Sequence, residues 1–256
     1  MTDHILTTVD NGVMTIRINR PEKKNALTVA MYGAMGESLQ AAESDDHVRV
    51  VLITGTANIF SAGNDIMDFM QNPPFDVNSP VANFLMAIVK AQKPIVAAVN
   101  GVAIGVGTTM LLHCDLVYAG ENARFHLPFV DLALVPEAGS SYILPRMMGH
   151  QRAAELLMLS DSFDAQTARE FGFVNEVLPD DGVEARAMAV ARALAAKPPA
   201  ALRLTKALIK RGSAEAVEET IYHELGQFRQ LLQSPEATEA FTAFMERRKP
   251  DFSKFN

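Results

Sequence analysis

A single carboxylate in an apolar stretch, Glu137, is the residue whose surroundings most suggest chemistry. It lies between Leu134-Val135-Pro136 and Ala138-Gly139. An ionised side chain among apolar neighbours is costly unless it is paired or solvated, and desolvation raises the pKa of a carboxyl group toward values useful for proton transfer. These residues also fit a structural interpretation, in which Glu137 is a solvated acid in the first turn of a helix behind Pro136.

Two glycine-containing turns, Phe60 to Ile66 and Asn100 to Gly107, are the second feature that could carry chemistry. In the second turn, Gly105 and Gly107 allow close approach to the backbone, and a helix beginning near Thr108 would leave unpaired N–H groups. Such groups suit an anion or a developing oxyanion. Glycines at these positions also fit tight strand-to-helix turns without a ligand, so both interpretations stay open.

Other chemistries have little support in the sequence. Met110 stands where a dinucleotide-binding fingerprint would have its third glycine, and neither a Gly-x-Ser-x-Gly elbow nor a phosphate loop ending in Gly-Lys-Ser or Gly-Lys-Thr occurs. The histidines lack metal-ligand spacing and Cys114 is the lone cysteine, so a zinc site is not expected. Lys23 and Lys24 could meet the phosphates of a ligand, although most such lysines are merely solvated.

Composition limits the class of protein. The 256 residues are 48% hydrophobic and 21% charged, as in a globular protein with one sizeable domain. The net charge of -7 and the pI near 5.4 argue against a nucleic-acid surface. One cysteine and an N-terminus without signal-peptide features favour the cytoplasm. No window approaches 18 uninterrupted apolar residues, so no membrane span is expected.

The order of the expected elements places the turns and Glu137 in an α/β core, because near-continuous apolar strands alternate with helices. We expect a hairpin of Ile5 to Val9 and Val13 to Ile18, strands at Val48 to Thr54, Ile95 to Asn100 and Asp115 to Ala119, and helices from Thr28 to Ser44, from Val81 to Ala91 and from Thr108. Helical periodicity predicts a mostly helical C-terminal third from Gln151. The proline-containing stretch Gln71 to Pro80 fits either a mobile rim of a site or a surface linker.

Several separated motifs together resemble the crotonase (enoyl-CoA hydratase/isomerase) superfamily. The matching segments, in order, are Arg20-Pro21 with Asn25-Ala26-Leu27, Phe60 to Ile66, Asn100 to Gly107, Cys114-Asp115, Phe125, and Pro136 to Arg146. The resemblance implies a spiral of ββα repeats over residues 1–195 and a helical trimerisation region over residues 196–256. It implies a homotrimer or a dimer of trimers.

The same resemblance implies an acyl-CoA thioester as the substrate, with no cofactor beyond the coenzyme A that the substrate carries. The backbone N–H groups of Asn64 and Val106 are expected to form an oxyanion hole. Further contacts to the substrate are expected at Lys24, Ala26, Ser61, Ala62, Gly63, Asp65, Ile66, Gly105 and Phe129.

The chain departs from the hydratases of this family at Thr109 and Phe129, where those enzymes carry glutamates. Adding water across a double bond needs groups that hold the water and move its protons, and these two side chains cannot act as a carboxylate pair. We therefore expect little or no hydratase activity. The segments Phe125 to Phe129 and Val135 to Tyr142 instead resemble the peroxisomal type of 3,2-enoyl-CoA isomerase, whose single catalytic glutamate falls at Glu137.

This resemblance implies a one-base mechanism. Glu137 would remove a proton from carbon 2 of a 3-enoyl thioester and return it to carbon 4, while the amides of Asn64 and Val106 stabilise the enolate oxygen. Apolar side chains would exclude the water that a hydratase admits, among them Phe129, Val135 and Met110.

Alternatives on the same scaffold stay open. Some relatives have an aspartate at the position of Glu137 and isomerise aromatic epoxide thioesters or displace halide from an aryl ring. Another CoA-thioester isomerase or lyase is therefore the runner-up, and a catalytically silent acyl-CoA-binding protein is a third interpretation. The acidic composition disfavours an RNA-binding role. If Glu137 is not the base, Asp65 or Asp131 is the next candidate.

Overall fold

The structure is a computed structural model that describes residues 2–56, 58–72 and 78–255. Its strands are β1 Ile5–Asp10, β2 Val13–Ile18, β3 Val50–Thr54, β4 Ile95–Val99, β5 Val102–Ile104, β6 Leu116–Gly120, β7 Arg124–His126, β8 Phe163–Asp164 and β9 Glu176–Leu178. Its helices are α1 Val29–Ser44, α2 Ile66–Gln71, α3 Pro80–Lys90, α4 Val106–Thr109, α5 Ser140–Met148, α6 His150–Met158, α7 Ala165–Glu170, α8 Val183–Ala195, α9 Pro199–Lys210, α10 Ala214–Leu231 and α11 Pro235–Glu246. Residues 73–77 of the stretch expected to be a rim or a linker lie outside the described residues.

The first two strands form the expected hairpin. β1 and β2 pair antiparallel, and Asn11 and Gly12 between them have positive φ angles of 48° and 79°. A type I′ turn requires positive φ at both central residues, which Asn-Gly adopts readily.

Parallel strands extend this hairpin into a six-stranded sheet with the order β1-β2-β3-β4-β6-β9. Every residue of β3 and of β4 is buried, which explains their uninterrupted apolar sequences. Successive residues of β3 face opposite sides: Val50 and Leu52 pack in one cluster with α8, and Val51 and Ile53 pack in the other with α1. The sheet is therefore covered by helices on both faces.

A second sheet, with the order β5-β7-β8, lies beside the first, and its strands β5 and β7 are parallel. The chain alternates between the two sheets: β4 precedes β5, and β6 precedes β7. A bridge between Ser61 and Ala103 adds the segment that follows β3 to the second sheet. Three successive strand–strand–helix units result, which confirms the spiral of ββα repeats. Because neighbouring parallel strands end at the same edge of a sheet, the loops that follow them lie side by side.

Two expected boundaries are wrong for local reasons. β3 begins at Val50 rather than Val48, because the Val48 N–H turns back to the Asp45 carbonyl (3.0 Å). The helix expected from Thr108 begins at Val106 instead, because the N–H groups of Thr108 and Thr109 both bond to the carbonyl of Gly105, its N-cap. After Thr109 the chain tightens into a 3₁₀ helix, Met110–His113.

The C-terminal part is mostly helical, as expected, and a buried ion pair joins it to the large sheet. Lys206 on α9 donates from Nζ to the Lys93 carbonyl (2.8 Å) and to Asp115 Oδ2 (2.7 Å). The same Asp115 oxygen accepts from the first N–H of β4, that of Ile95 (2.7 Å). None of the helices in the described ranges is long and apolar enough to cross a membrane.

We expect Lys206→Met to lower the free energy of unfolding by about 3 kcal/mol, because it leaves the Asp115 carboxylate and the Lys93 carbonyl without this donor. Lys90→Met is the matched control, since the Lys90–Glu218 pair is far more exposed, with side-chain exposures of 54% and 32%. Its cost should stay within about 1 kcal/mol. Urea unfolding curves measure both changes. Equal midpoints for the two variants would contradict the claim that the Lys206–Asp115 pair stabilises the contact between α9 and the large sheet.

Candidate active site

Three loops that follow adjacent strands of the second sheet form the candidate site. The first follows Ser61 and leads into α2, the second joins β5 to α4, and the third runs from β7 to α5 and carries Glu137. The two glycine turns of the sequence are therefore brought together, and they are brought to the same edge as the acid.

The first turn is built around the buried hydroxyl of Ser61. Ser61 Oγ donates to the Asn25 carbonyl (2.9 Å) and accepts from the Gly63 N–H (3.1 Å). Gly63 has a φ of +84°, and a Cβ there would lie 2.7 Å from the Ile104 carbonyl oxygen. A side chain at position 63 would thus push the two turns apart.

The second turn packs against the first in the same way. A Cβ at Gly107 would lie 2.8 Å from the Ser61 carbonyl oxygen, so this glycine is required by close approach. Gly105 has open space around it but a φ of +54° and a ψ of -121°, a conformation essentially restricted to glycine. Thr108 Oγ1 donates to the Ala103 carbonyl and so pins the start of α4. The interpretation that these glycines serve tight turns is correct, and it is compatible with a site.

Within the described residues, each turn presents a backbone amide without a hydrogen-bond partner. The bridge between Leu27 and Asn64 uses the Gly63 carbonyl and the Asp65 N–H, which leaves the Asn64 N–H unused. Val106 follows the N-cap of α4, and its N–H likewise donates to no other backbone group within the described ranges. The Asn64 side chain is fixed independently, since Oδ1 accepts a hydrogen bond from the Tyr32 hydroxyl. Paired free amides in this arrangement suit a developing oxyanion.

Glu137 is buried, with 3% of its surface exposed, and it precedes the helix rather than lying in its first turn. The alternative of a solvated helix acid is therefore wrong. After Glu137 the chain takes two left-handed residues, Ala138 with φ +59° and Gly139 with φ +73°, and α5 begins at Ser140. The conformation of Ala138 costs roughly 1–2 kcal/mol, so neighbouring contacts must hold this segment in place.

The environment of Glu137 favours its protonated form. Burial, followed by the negative charge of Glu224, raises its pKa from 4.5 to about 8, and the nearby Thr109 hydroxyl opposes this rise. Neither Glu137 Oε1 nor Thr109 Oγ1 has a partner with full hydrogen-bond geometry in the described part of the chain. Thr109 lies one turn after Val106 on α4, so the helix that presents the free amide also carries a hydroxyl that acts on Glu137. A basic, unpaired carboxyl here can exchange a proton with a bound molecule.

Three buried residues that the sequence analysis did not assign to the site support it. Tyr32 orients Asn64, and burial together with the charge of Glu137 raises the pKa of this phenol well above its ordinary value. His113 donates from Nε2 to the Ala138 carbonyl (2.7 Å), and burial lowers the pKa of this imidazole to about 4. Glu224 on α10 accepts from the Gly139 N–H (2.6 Å) and the Ser141 N–H (3.0 Å). In the sequence, each is recognisable only as a polar residue on an apolar helical face. Such a pattern does not show which group the side chain contacts.

The remaining expected contact residues occupy distinct positions. Lys24 is exposed, while its carbonyl accepts from the Ala62 N–H (3.0 Å), and Ala26 and Ile66 are half-buried. Phe129 is buried in the core at the start of the loop that leads to Glu137.

The two fallback acids fit the role of base less well than Glu137. Burial raises the pKa of Asp65, but hydrogen bonds from Arg20 (2.7 Å) and the Asp68 N–H bring it below the usual value. Asp131 is exposed. The described residues therefore offer Glu137 as the carboxyl in the site with raised basicity.

A cavity of about 650 Å³ opens elsewhere, between α3, α9 and α10, behind His113. Glu137, Asn64 and Val106 do not line it, and its acid, Glu218, is paired with Lys90. It offers no acid–base pair comparable to the three-loop site. Within residues 2–56, 58–72 and 78–255, no three His, Cys, Asp or Glu side chains are grouped to hold a metal.

Comparisons with known proteins find similarity along nearly the whole chain. The 1,2-epoxyphenylacetyl-CoA isomerase of Escherichia coli (strain K12) is 34% identical over 99% of both chains. Enoyl-CoA delta isomerase 2 of Homo sapiens is 34% identical over 95% of this chain, which spans 64% of the human protein. The structure of Pseudomonas aeruginosa OdaA matches with a TM-score of 0.94 and 48% identity, over 96% of this chain and 100% of that one.

A model of the enoyl-CoA hydratase/isomerase family matches residues 8–255, nearly the whole chain. The match includes both glycine turns and the loop of Glu137. The chain belongs to the enoyl-CoA hydratase/isomerase family, the crotonase superfamily, whose members act on CoA thioesters.

Proposed function

We propose that the protein is an acyl-CoA isomerase that moves the double bond of a 3-enoyl-CoA to the 2-position by proton transfer through one base, Glu137. The observation that carries this proposal is a buried carboxyl with a pKa of about 8 and an unpaired oxygen, in a loop at the same edge of the second sheet as the two turns with free backbone amides. A general base whose pKa lies near the working pH combines adequate basicity with adequate population of its ionised form.

In the proposed reaction the thioester oxygen accepts from the N–H groups of Asn64 and Val106. Glu137 takes a proton from carbon 2, and negative charge moves to the oxygen as the enolate forms. The protonated Glu137 then returns the proton to carbon 4 as the double bond shifts, so that atoms and charge balance without a metal or redox group. One missing oxyanion donor typically costs about 3 kcal/mol.

The same geometry disfavours hydration. A hydratase must hold a water molecule between two acid–base groups. Here Thr109 is a hydroxyl, and Phe129 is a buried core residue with 5% exposure. Met110 is fully buried beside them, so the surroundings are apolar.

A second candidate is the isomerisation of an epoxide ring on an aryl-CoA thioester. The observation that favours it is the match to the 1,2-epoxyphenylacetyl-CoA isomerase along 99% of both chains. That reaction would use the same oxyanion amides, so an epoxide substrate belongs in the same assay series.

We also propose that residues 196–256 form the contact of a homotrimer or of a dimer of trimers. This proposal is supported by the apolar face of α9, where Leu204, Leu208 and Ile209 are 64%, 68% and 78% exposed. Contiguous exposed apolar side chains of this kind mark association surfaces.

For the isomerase we expect Glu137→Gln to lower kcat/KM for 3-enoyl-CoA by roughly 10²- to 10⁴-fold, because the amide cannot accept the proton. Asp131→Asn, which removes an exposed acid from the same loop, should retain parent activity. The rise in conjugated-thioester absorbance measures both variants. Rapid isomerisation by Glu137→Gln would contradict the role of Glu137 as the base. Robust hydration of 2-enoyl-CoA by the parent would contradict the assignment as an isomerase.

The raised pKa of Glu137 also predicts a pH-dependent stability. Between pH 4.5 and about 8 the folded chain keeps a proton on Glu137 that the unfolded chain has lost, so raising the pH lowers the free energy of unfolding. Glu137→Gln removes this effect. The free energy of unfolding of the variant, minus that of the parent, should therefore increase by about 1.4 kcal/mol per pH unit within that window. Urea unfolding at pH 5, 7 and 9 tests this, and a difference independent of pH would contradict it.

The assembly proposal predicts a solution mass of three or six times the 27.9 kDa chain. Replacing Leu208 by Lys places a charge on the exposed face of α9 and should shift the protein toward smaller species. Light scattering measures the mass directly. A monomeric parent would contradict the proposal.

A further inference from the structure

The carboxylate of Glu224 accepts three hydrogen bonds from the segment that carries Glu137. It is 5% exposed, on the face of α10 that covers the start of α5. Its Oε2 accepts from the Gly139 N–H, and its Oε1 accepts from the N–H and the hydroxyl of Ser141. A capping carboxylate normally comes from the chain just before its helix, whereas this one lies 83 to 85 residues away.

These contacts determine which backbone N–H groups at the start of α5 remain free to stabilise a charge on Glu137. A helix N-terminus has unpaired N–H groups and a positive dipole end, both of which stabilise a nearby anion. Glu224 takes the amides of Gly139 and Ser141, and the Ser140 N–H returns to the Glu137 carbonyl (3.1 Å). The Glu137 side chain is left with an unpaired oxygen, although α5 begins only three residues later, at Ser140.

We propose that Glu224 is a positioning residue that holds the Glu137 loop and occupies the Gly139 and Ser141 amides at the start of α5, so that neither of them stabilises the charge of Glu137. The inference rests on the proposed role of Glu137 as the base. It assigns to the C-terminal helix α10 a part in the chemistry that is separate from any part in assembly.

Glu224 holds a negative charge more readily than Glu137 does. Glu224 has three donors and Glu137 has none with full geometry, so Glu224 is the group that ionises first. Its charge, after burial, is the second cause of the raised pKa of Glu137. Burial also raises the pKa of Glu224, against the opposing effect of its donors.

The other titratable groups facing this pair do not account for a change near pH 8. Tyr32 on α1 has a pKa raised well above 10, and His113 on the 3₁₀ helix has a pKa of about 4, so both are neutral there. His223 on α10 is exposed, and its charge acts on Glu224. Replacing His223 separately therefore isolates any contribution from that residue.

The test compares four variants on α10, of which one is the His223→Gln change just described. Glu224→Gln keeps the length of the side chain but removes its charge, Glu224→Asp keeps the charge but shortens the reach, and Glu219→Gln removes an exposed acid from the same helix. The readouts are the pH profile of kcat/KM for 3-enoyl-CoA and the ¹³C NMR titration of the Glu137 carboxyl, identified by its loss in Glu137→Gln.

We expect a midpoint near 8 for the parent and a midpoint lower by roughly one pH unit for Glu224→Gln, with a lower plateau rate because a weaker base remains. Glu224→Asp should keep the parent midpoint while kcat falls, since the loop is held less well. Glu219→Gln and His223→Gln should match the parent. If Glu224→Gln does not fold, Glu224→Asp decides, because an unchanged kcat there would overturn the proposal.

An unchanged Glu137 midpoint in Glu224→Gln, with a uniform loss of rate at every pH, would reduce Glu224 to a structural contact. The NMR titration needs no substrate. A protein that isomerises no 3-enoyl-CoA but shows the expected shift would therefore refute the proposed function and leave the inference about Glu224 intact.

Discussion

The burial of the Glu137 carboxyl without a compensating donor is the constraint on which the rest of the site depends. An acid with 3% exposure and an unpaired oxygen is unfavourable for folding. It persists because the surrounding segment is over-determined: His113 fixes the Ala138 carbonyl, Ser140 Oγ donates to the Glu137 carbonyl, and α10 supports Gly139. Burial still destabilises the ionised carboxylate, and this raises its pKa. A raised pKa is the property that the proposed proton transfer requires.

The spiral of repeats explains how such a group meets two free amides. Each repeat ends a short strand at the same edge of the second sheet, and the turns pack backbone against backbone. Gly63 and Gly107 permit this packing, since a Cβ at either position would lie within 3 Å of a neighbouring carbonyl oxygen. The amides of Asn64 and Val106 are thus held by rigid neighbours, so little reorganisation is needed when charge develops.

The sequence predicted the fold better than it predicted the contacts that support the candidate site. Hairpin, buried strands and glycine turns have local signals, such as Asn11-Gly12 and the run from Val50 to Thr54. Glu137 could be recognised by its apolar neighbours and by the resemblance, but its conformation could not, because a left-handed Ala138 has no signal of its own. Glu224 and Tyr32 could not be assigned to the site, since their partners are distant in sequence and only the folded chain brings them together.

The contrast with hydratases of the same family is therefore a matter of what surrounds one acid. In the proposed mechanism Thr109 and Phe129 supply no second carboxyl to activate water, and Glu137 is the group that would move a proton across the substrate. The most direct test uses 3-enoyl-CoA with two deuterium atoms on carbon 2, converted in ordinary water and analysed by mass spectrometry. A single shuttling base in a dry site predicts deuterium on carbon 4 of the 2-enoyl product in the first turnovers. Product with only solvent hydrogen on carbon 4 would contradict it.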